Sequence, residues 1–465
     1  MTLPSQGPGR VLVAFGASFW AGSPSWVILE DQIGVSVASY SIDRGRQVEL
    51  DRTDVGRATV DLFDSTGILD PGNAASPFYG DIQPLTPICL QRLNPMTGLW
   101  HTRFRGWVET WNWTADRSQK VNRVRIECVD IFEALAAIEL TIQPFSDPYE
   151  TADENGTVTF AEQTMGGRVK KILTRGDVPS SWFIVFTGNV GLFRSSYSPG
   201  ETAITAIQEA VDAELPTVSN CYADRVGRFV AHGRLSKRDP EVVIATITDP
   251  NTWDWSRWKA GDYDAVVADV GQVAQLREFA YQRGLSSVVN KAYAVPKGEW
   301  DVDELNAQVY VGATGLASQA KYGVRSWSAD SLLTGVGLED SADALTETKR
   351  FAEWRVENFA VPRNRATACS FRTIRPGRVG SGITWELLCE LDISDQVTLY
   401  VGGVDGHDGG MDGTAFYVEG VHEQVRPATG DYDDVTLSVD ISPRDVFDHW
   451  PFPDVSDPDV DPDSP

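Results

Sequence analysis

The 465-residue sequence is poor in the residues on which most site chemistry depends, with only 5 Cys, 5 His and 4 Met. The cysteines (Cys89, Cys128, Cys221, Cys369, Cys389) are odd in number, widely separated and set mostly among apolar residues of strand type. That pattern argues against a disulfide framework and predicts reduced thiols in a core. No Cys-x-x-Cys pair occurs, and His101, His232, His407, His422 and His449 never fall at zinc spacing, so no structural metal is expected. A Gly-x-Ser-x-Gly elbow, a His-Glu-x-x-His pair, a phosphate loop and a complete dinucleotide fingerprint are all missing. The sequence therefore reads as a chain with no cofactor and no enzymatic role. Positive charge is also scarce. Forty Lys and Arg stand against 66 Asp and Glu, a formal net charge of −26, which opposes any role built on gripping phosphates. Long apolar runs are missing too: none approaches the roughly 20 residues of a membrane-spanning helix. The apolar run that begins at Val11 is broken by Gly16, Gly22 and Pro24, so no secretion signal is expected and synthesis in the cytoplasm is.

What the chain does have is β-type patterning, and it has it twice. The first copy runs Arg57-Ala58-Thr59, a strand around Ile88, the hairpin Phe104-Arg105-Gly106-Trp107-Val108-Glu109, then Val124-Arg125-Ile126 ending in Val129-Asp130-Ile131. The second runs Arg365-Ala366-Thr367, Val397-Thr398-Leu399, Tyr417-Val418-Glu419-Gly420-Val421-His422-Glu423, then Val435-Thr436-Leu437 ending in Val439-Asp440-Ile441. Their spacings differ by amounts that hairpin loops absorb. Arg57, Ile88, Gly106 and Val124, with Arg365, Val397, Gly420 and Val435, are the markers of this internal duplication. The fold class expected is mostly β with α+β insertions: two tube-like β-barrel domains plus middle α+β domains.

The length suits three or so cores. We expect an N-terminal arm at 1–25, barrel 1 at 26–140, an α+β insertion at 141–248, a middle domain at 249–364, barrel 2 at 365–447 and a disordered acidic tail at 448–465. Within barrel 1, alternation over Thr102 to Trp113 predicts a half-buried strand, with Phe104, Gly106 and Val108 facing in and Arg103, Arg105, Trp107 and Glu109 facing out. A helical period follows from Asp130 to Leu140. In the insertion, a helix is predicted near Gly167 to Arg175. A second opens at Ser198-Pro199-Gly200-Glu201, with Ala203, Ile204, Ile207, Ala210, Val211 and Leu215 on one face. Asp224 to Gly227 should turn a hairpin. The middle domain has a strand at Ser287 to Val295 and a helix from about Ala342 to Phe359 with Leu345, Thr348, Phe351, Ala352, Arg355 and Phe359 in one stripe. Trp253, Trp255 and Trp258 read as shared core rather than as a sugar platform. The acidic, glycine-rich stretch from Asp405 to Gly413 has three carboxylates but lacks calcium-loop spacing, so a hairpin loop is expected there.

The run Ser41-Ile42-Asp43-Arg44-Gly45-Arg46, Leu50-Asp51-Arg52, Gly56-Arg57-Ala58, Leu62-Phe63-Asp64, Leu69-Asp70-Pro71-Gly72-Asn73 and Ser76-Pro77-Phe78-Tyr79 resembles the N-terminal part of minor tail proteins from siphophages of actinobacteria. Ser287-Val288-Val289-Asn290, Tyr322-Gly323 and the helix before Pro362 resemble the middle of tail-hub or baseplate-hub proteins of the same group. The resemblance spans Trp26 to Phe447. It implies a structural hub at the virion tail tip, with two tube-like barrels per chain and three chains presenting six barrels to a sixfold tail tube. The partners it implies are further copies of this chain, the distal tail or tail-tube protein, the tape-measure protein, and tail fibres or receptor-binding proteins. No specific nucleic-acid binding is implied, although DNA would pass the lumen, where an acidic lining avoids holding phosphates. A hexameric distal-tail ring protein and a cell-wall hydrolase are the alternatives.

Overall fold

The computed structural model describes residues 9–116, 121–140, 151–152, 158–160, 163–188, 191–192, 194–215, 218–237, 243–248, 274–275, 277–297, 308–333, 341–378, 381–400, 414–426 and 432–452. Trp253, Trp255, Trp258, the 405–413 loop and the acidic stretch after Phe452 lie outside them. Fourteen strands hydrogen-bond into one sheet. In chain order they are β1 (Gly9–Val13), β2 (Val27–Ile28), β3 (Val35–Gly45), β4 (Asp54–Asp64), β5 (Pro87–Leu93), β6 (Trp100–Asp116), β7 (Val121–Val129), β8 (Val243–Thr248), β9 (Ala274–Gln275), β10 (Glu278–Arg283), β11 (Asn364–Arg372), β12 (Gln396–Tyr400), β13 (Thr414–Arg426) and β14 (Asp434–Pro443).

Four strands of the first half bond antiparallel in the order β4-β7-β6-β5. Four of the second half bond antiparallel in the corresponding order β11-β14-β13-β12. The two sets belong to one continuous sheet, and among the described residues neither closes into a barrel. The edge of β13 from Gly420 to Val425 pairs with β3 from Gly45 to Tyr40, so two edges that would otherwise expose unpaired N–H and C=O groups satisfy one another. One apolar core accordingly holds Val60, Phe104 and Ile126 together with Phe371, Val418 and Leu437. The N-terminal segment is part of this body: β1 pairs with β5, and Phe19 stacks on Trp107 with ring centroids 4.4 Å apart.

The predicted half-buried strand at Thr102 to Trp113 is instead buried on both faces at its centre. Phe104 and Val108 enter the main core, Trp107 a second core with the insertion, and Arg103 is fully buried. A second layer covers what a lone hairpin would leave wet. Helix α1 (Ile131–Ala137) ends the first half, and the insertion's helices are α2 (Met165–Arg175) and α3 (Ala203–Asp212); the side chains of Asp130, Thr164 and Thr202 cap the three. Helix α3 thus starts after the Pro199-Gly200 turn, where Gly200 takes φ +90°, and not at it. Its expected stripe is buried at Ala203, Ile207, Ala210 and Val211. Cys221–Ala223 and Phe229–Ala231 form the expected hairpin around Gly227.

In the middle region α4 (Gly312–Tyr322) and α5 (Ser341–Phe359) pack with a three-stranded sheet of Lys291–Lys297, Gln308–Tyr310 and Ser326–Leu333. Thr348, Phe351, Ala352, Arg355 and Phe359 of the expected α5 stripe are buried; the Leu345 side chain lies outside the described residues. The strand expected from Ser287 begins only at Lys291. Before it, the buried Asn290 donates to Gly323 O at 2.8 Å and to Ser318 Oγ at 3.0 Å and accepts from Arg325 N at 2.7 Å. Satisfying that amide outweighs extending the strand. The second half also carries α6 (Ser381–Glu390) between β11 and β12.

Candidate functional site: an ionic seam joining the two halves

Strand β13 holds the molecule together because it touches both halves, and its approach to β3 requires glycine on each side. Gly45 sits at φ +98°, and a Cβ there would lie 2.3 Å from Glu419 O. A Cβ on Gly420 would lie 2.7 Å from Arg46 O. Gly106 solves the same problem in the first half, where a Cβ would meet Val129 O at 2.1 Å. This is the physical reason two of the repeat markers are glycines.

Beneath that contact lies Glu423 of β13, fully buried between two fully buried arginines of the first half. Arg92 Nη2 reaches Oε2 at 2.6 Å, and Arg103 reaches Oε1 through Nε at 2.8 Å and Nη2 at 2.5 Å. Burial pushes the Glu423 carboxyl up, but the two guanidinium charges outweigh it and hold the pKa at about 2. The spare donors also have work. Arg103 donates to Cys389 O at 2.8 Å and Leu391 O at 2.9 Å, and Arg92 donates to Leu388 O. These are carbonyls at the C-terminal end of α6, which cations satisfy well. One triad therefore joins β5, β6, β13 and α6.

Four more ion pairs follow the same boundary. Glu419 receives Arg46 at 2.7 Å and Lys237 of the insertion at 2.5 Å. Burial lowers the Lys237 pKa to about 8 against the pull of Glu419. Glu49 takes both terminal nitrogens of Arg365 at 2.6 Å and the Ser442 hydroxyl at 2.7 Å. Arg44 meets Asp392 at 2.9 Å and donates to Ala223 O at 2.9 Å. Above them opens a cleft of about 670 Å³ lined by residues that include Asp43, Arg46, Asp51, Arg52, Arg57 and His422. His422 bridges Asp43 at 2.9 Å and Asp440 at 2.7 Å, and those bonds raise its pKa to about 10, so the ring is cationic at neutral pH.

The repeat markers fall on this frame unevenly. Arg57 pairs in register with Val129, and Ile88 with Gly106. Gly420 pairs with Asp440 and Gly45, whereas Val397 faces Phe416. Val124 and Val435 are inward residues of β7 and β14. Arg365 lies on the part of β11 that pairs with β10, and its side chain enters the seam. Arg92 was not singled out from the sequence, Glu419 and Glu423 entered only as members of the repeat string, and Arg103, expected to face out, is fully buried. No local signal marks them as buried: Glu423 stands between His422 and Gln424, Arg92 beside Gln91 and Arg103 beside Thr102.

The arrangement fastens the two halves to one another and to the insertion. All five cysteines are free and buried, with burial pushing Cys89 and Cys389 up to about 11. Among the described residues no group of three or more His, Cys, Asp or Glu is placed to hold a metal ion, and no helix is long and apolar enough to cross a membrane.

No family model and no curated protein matches the sequence. Solved structures do match. A tail protein from Neisseria meningitidis MC58 aligns with a TM-score of 0.51 at 12% identity over 93% of this chain and 96% of its own. The 43 kDa tail protein of prophage MuSo2 from Shewanella oneidensis aligns at 0.50 and 9% identity, over 94% and 99%. The chain has a phage tail-protein fold. The likeness extends over almost the full length of both chains.

Proposed function

We propose that the chain is a structural tail-hub protein of a siphophage tail tip, three copies of which close a ring of approximate sixfold symmetry around the DNA exit channel. The observation that carries this reading is the pair of four-stranded segments with one order of hydrogen bonding, β4-β7-β6-β5 and β11-β14-β13-β12, held in one chain. A closed ring needs surfaces related by a rotation, and a chain that offers two similar surfaces lets three copies meet a sixfold cylinder without mismatch. The fold shared with tail proteins supports the same setting. A net charge of −26 suits a wall past which DNA moves without being held.

On this reading each four-stranded segment is the ring-forming part of its half, within 26–140 and 365–447, the ring sides with the tube or distal-tail protein, and the tape-measure protein and fibres contact the other surfaces. The seam's role is to fix the angle between the two four-stranded segments, because an error there would spoil closure. A cryo-EM map of the tail tip tests it. Three copies, with Gly106 and Gly420 at equal radii and an acidic lumen, are expected; unequal radii or a basic lining would sink the proposal. Zymography on host peptidoglycan should show no clearing; clearing lost on replacing one Asp or Glu would favour the hydrolase instead.

A further inference from the structure

The strands of the two halves run in one hydrogen-bonded path, β6-β7-β4-β3-β13-β14-β11-β10, with the β3–β13 contact at its centre. Its two ends are the counterparts of the two strands that meet in the middle. Arg57 and Arg365, matching repeat markers, face Asp43 of β3 and Gln282 of β10, so Asp43-Arg44-Gly45 corresponds to Gln282-Arg283-Gly284. The bulges of β6 and β13 each skip a glutamate, Glu109 and Glu419. Residues 110–115 of β6 therefore correspond to 420–425, the stretch of β13 that pairs with β3.

Among the described residues, no strand pairs with 110–115 on the side away from β7, or with β10 on the side away from β11. Open strand edges invite pairing. The side chains at both edges are also incompletely covered, and on the same face. Trp111 and Trp113 of β6 and Phe279 of β10 pack against the main core only in part, and Tyr281, its ring centroid 6.1 Å from that of Phe279, is 46% exposed. Ile42, the counterpart of Tyr281, faces Glu423 across the β3–β13 ladder and is buried. The glycines differ in the same way: a Cβ on Gly45 would lie 2.3 Å from Glu419 O, whereas one on Gly284 would meet nothing within 4 Å.

We infer that β6 of one copy pairs antiparallel with β10 of a second copy of this chain, in the register that β13 adopts on β3. That register sets Trp111 opposite Arg283, Asn112 opposite Gln282 and Trp113 opposite Tyr281, a cation on an aromatic face and an aromatic pair. Like charges do not meet, since Arg283 is the one charged residue among 110–115 and 279–284. The contact joins unlike edges, so it repeats head to tail and closes a ring of three, whereas a self-paired edge would stop at two. The inference rests on the proposed three-copy assembly and specifies which strands meet.

The test uses the full chain, in which every native cysteine is buried. Asn112 and Gln282 are exposed and correspond to His422 and Asp43, which meet at 2.9 Å. With Asn112→Cys and Gln282→Cys in one chain, mild oxidation should give disulfide-linked products of up to three chains. An equal mixture of the two single variants should give linked pairs, and either single variant alone should give none. Gly284→Val should keep the melting temperature of the parent, because the added carbons meet open space in the single chain. It should weaken self-association roughly tenfold or more, because in the pair they would meet the backbone of the second copy. A link formed by one single variant with itself would make the contact two-fold and overturn it. Three-chain assemblies that give no link and tolerate Gly284→Val overturn this contact alone and leave the assembly reading standing. A parent chain that stays monomeric at every concentration reached, with no link from the double variant, overturns both.

Discussion

The two four-stranded segments share a strand order but are held together differently. In the first, β4 runs beside β7 for its whole pairing length, Arg57 to Asp64 against Val129 to Asn122. In the second, β11 meets β14 only from Ser370 to Arg372 and is supported along the rest of its length by β10. Between the equivalent strands the first half has the turn-rich stretch 65–86, whereas the second has helix α6. The order thus stays fixed while connections and edges diverge. Strand order follows from alternating inward side chains and short hairpins, which constrain one another; edges answer only to their neighbours. The second segment, with less of its own ladder, depends more on the seam.

That dependence should be most visible at Glu423. Replacing it as Glu423→Gln leaves Arg92 and Arg103 buried without a counter-charge and should cost about 3–5 kcal/mol in denaturant unfolding. The pH dependence carries a second signature. The folded pKa of about 2 lies below the ordinary 4.5, so this stabilisation is complete above about pH 4.5 and is lost as pH falls through about 2. The variant's acid transition should therefore be shallower than that of the parent. A loss under 1 kcal/mol would show that the halves are joined by β3 pairing alone. Arg365→Ala strips the bidentate partner from Glu49 and should cost about 3 kcal/mol, tempered by the remaining Ser442 bond.

The glycines come next in size. Gly106→Ala and Gly420→Ala each push a methyl against a backbone oxygen and should cost about 1–3 kcal/mol. Equal losses would mean the two hairpins bear similar loads. A larger loss for Gly420→Ala would localise the weaker segment to the second half, and hydrogen exchange should then show β11 and β14 opening before β4 and β7.

Much of this was legible in the sequence where one period dominates. The strands around Gly106 and Gly420, helix α5 and the hairpin at Gly227 all follow alternation, a 3.6-residue stripe or turn chemistry. The helices that went unread fail the same test. In α6, Trp385, Leu387, Leu388 and Cys389 are all buried and a narrow edge of Gly382, Glu386 and Glu390 reaches solvent, too little to mark a helical period in the sequence. In α4 the stripe is mostly alanine and the helix begins and ends at glycines, which reads as a breaker-rich loop. The seam was illegible for another reason: Arg92 and Glu423 lie far apart in the chain, and a single sequence does not reveal which buried charge will meet which.

A smaller effect separates two buried carboxylates, one on each side. Asp130, the cap of α1, and Asp395, in the turn before β12, are each raised to about 7, chiefly by burial. Each folded pKa lies above the ordinary 3.8, so the stability that comes with protonation is fully present below about pH 4 and is lost as pH rises through about 7. The Phe132 and Gly56 amides donate to Oδ1 and Oδ2 of Asp130 at 2.9 Å each, so Asp130→Asn keeps an acceptor for one of them only and should lower stability at every pH as well as removing the titration. It should flatten the fall in melting temperature between pH 5 and 8, as should Asp395→Asn. A slope unchanged in both would assign the pH dependence to other groups.

The smallest expected effect is the sharpest comparison of the two copies. Arg57 and Arg365 open the matching Arg-Ala-Thr strings, yet the structure gives them unequal surroundings. Arg57 is 56% exposed and meets a 40% exposed Glu109 through one contact at 3.0 Å, whereas Arg365 is 12% exposed against Glu49 at 3%. An ion pair in water gains little, because solvent already screens both charges and ordering two long side chains costs entropy. Arg57→Ala should therefore change stability by no more than about 1 kcal/mol, and added salt should erase the difference. If it proves as costly as Arg365→Ala, the contact that matters at Arg57 is with something outside the single chain, and the same substitution should then impair tail assembly in an infection-complementation assay while leaving the isolated protein folded.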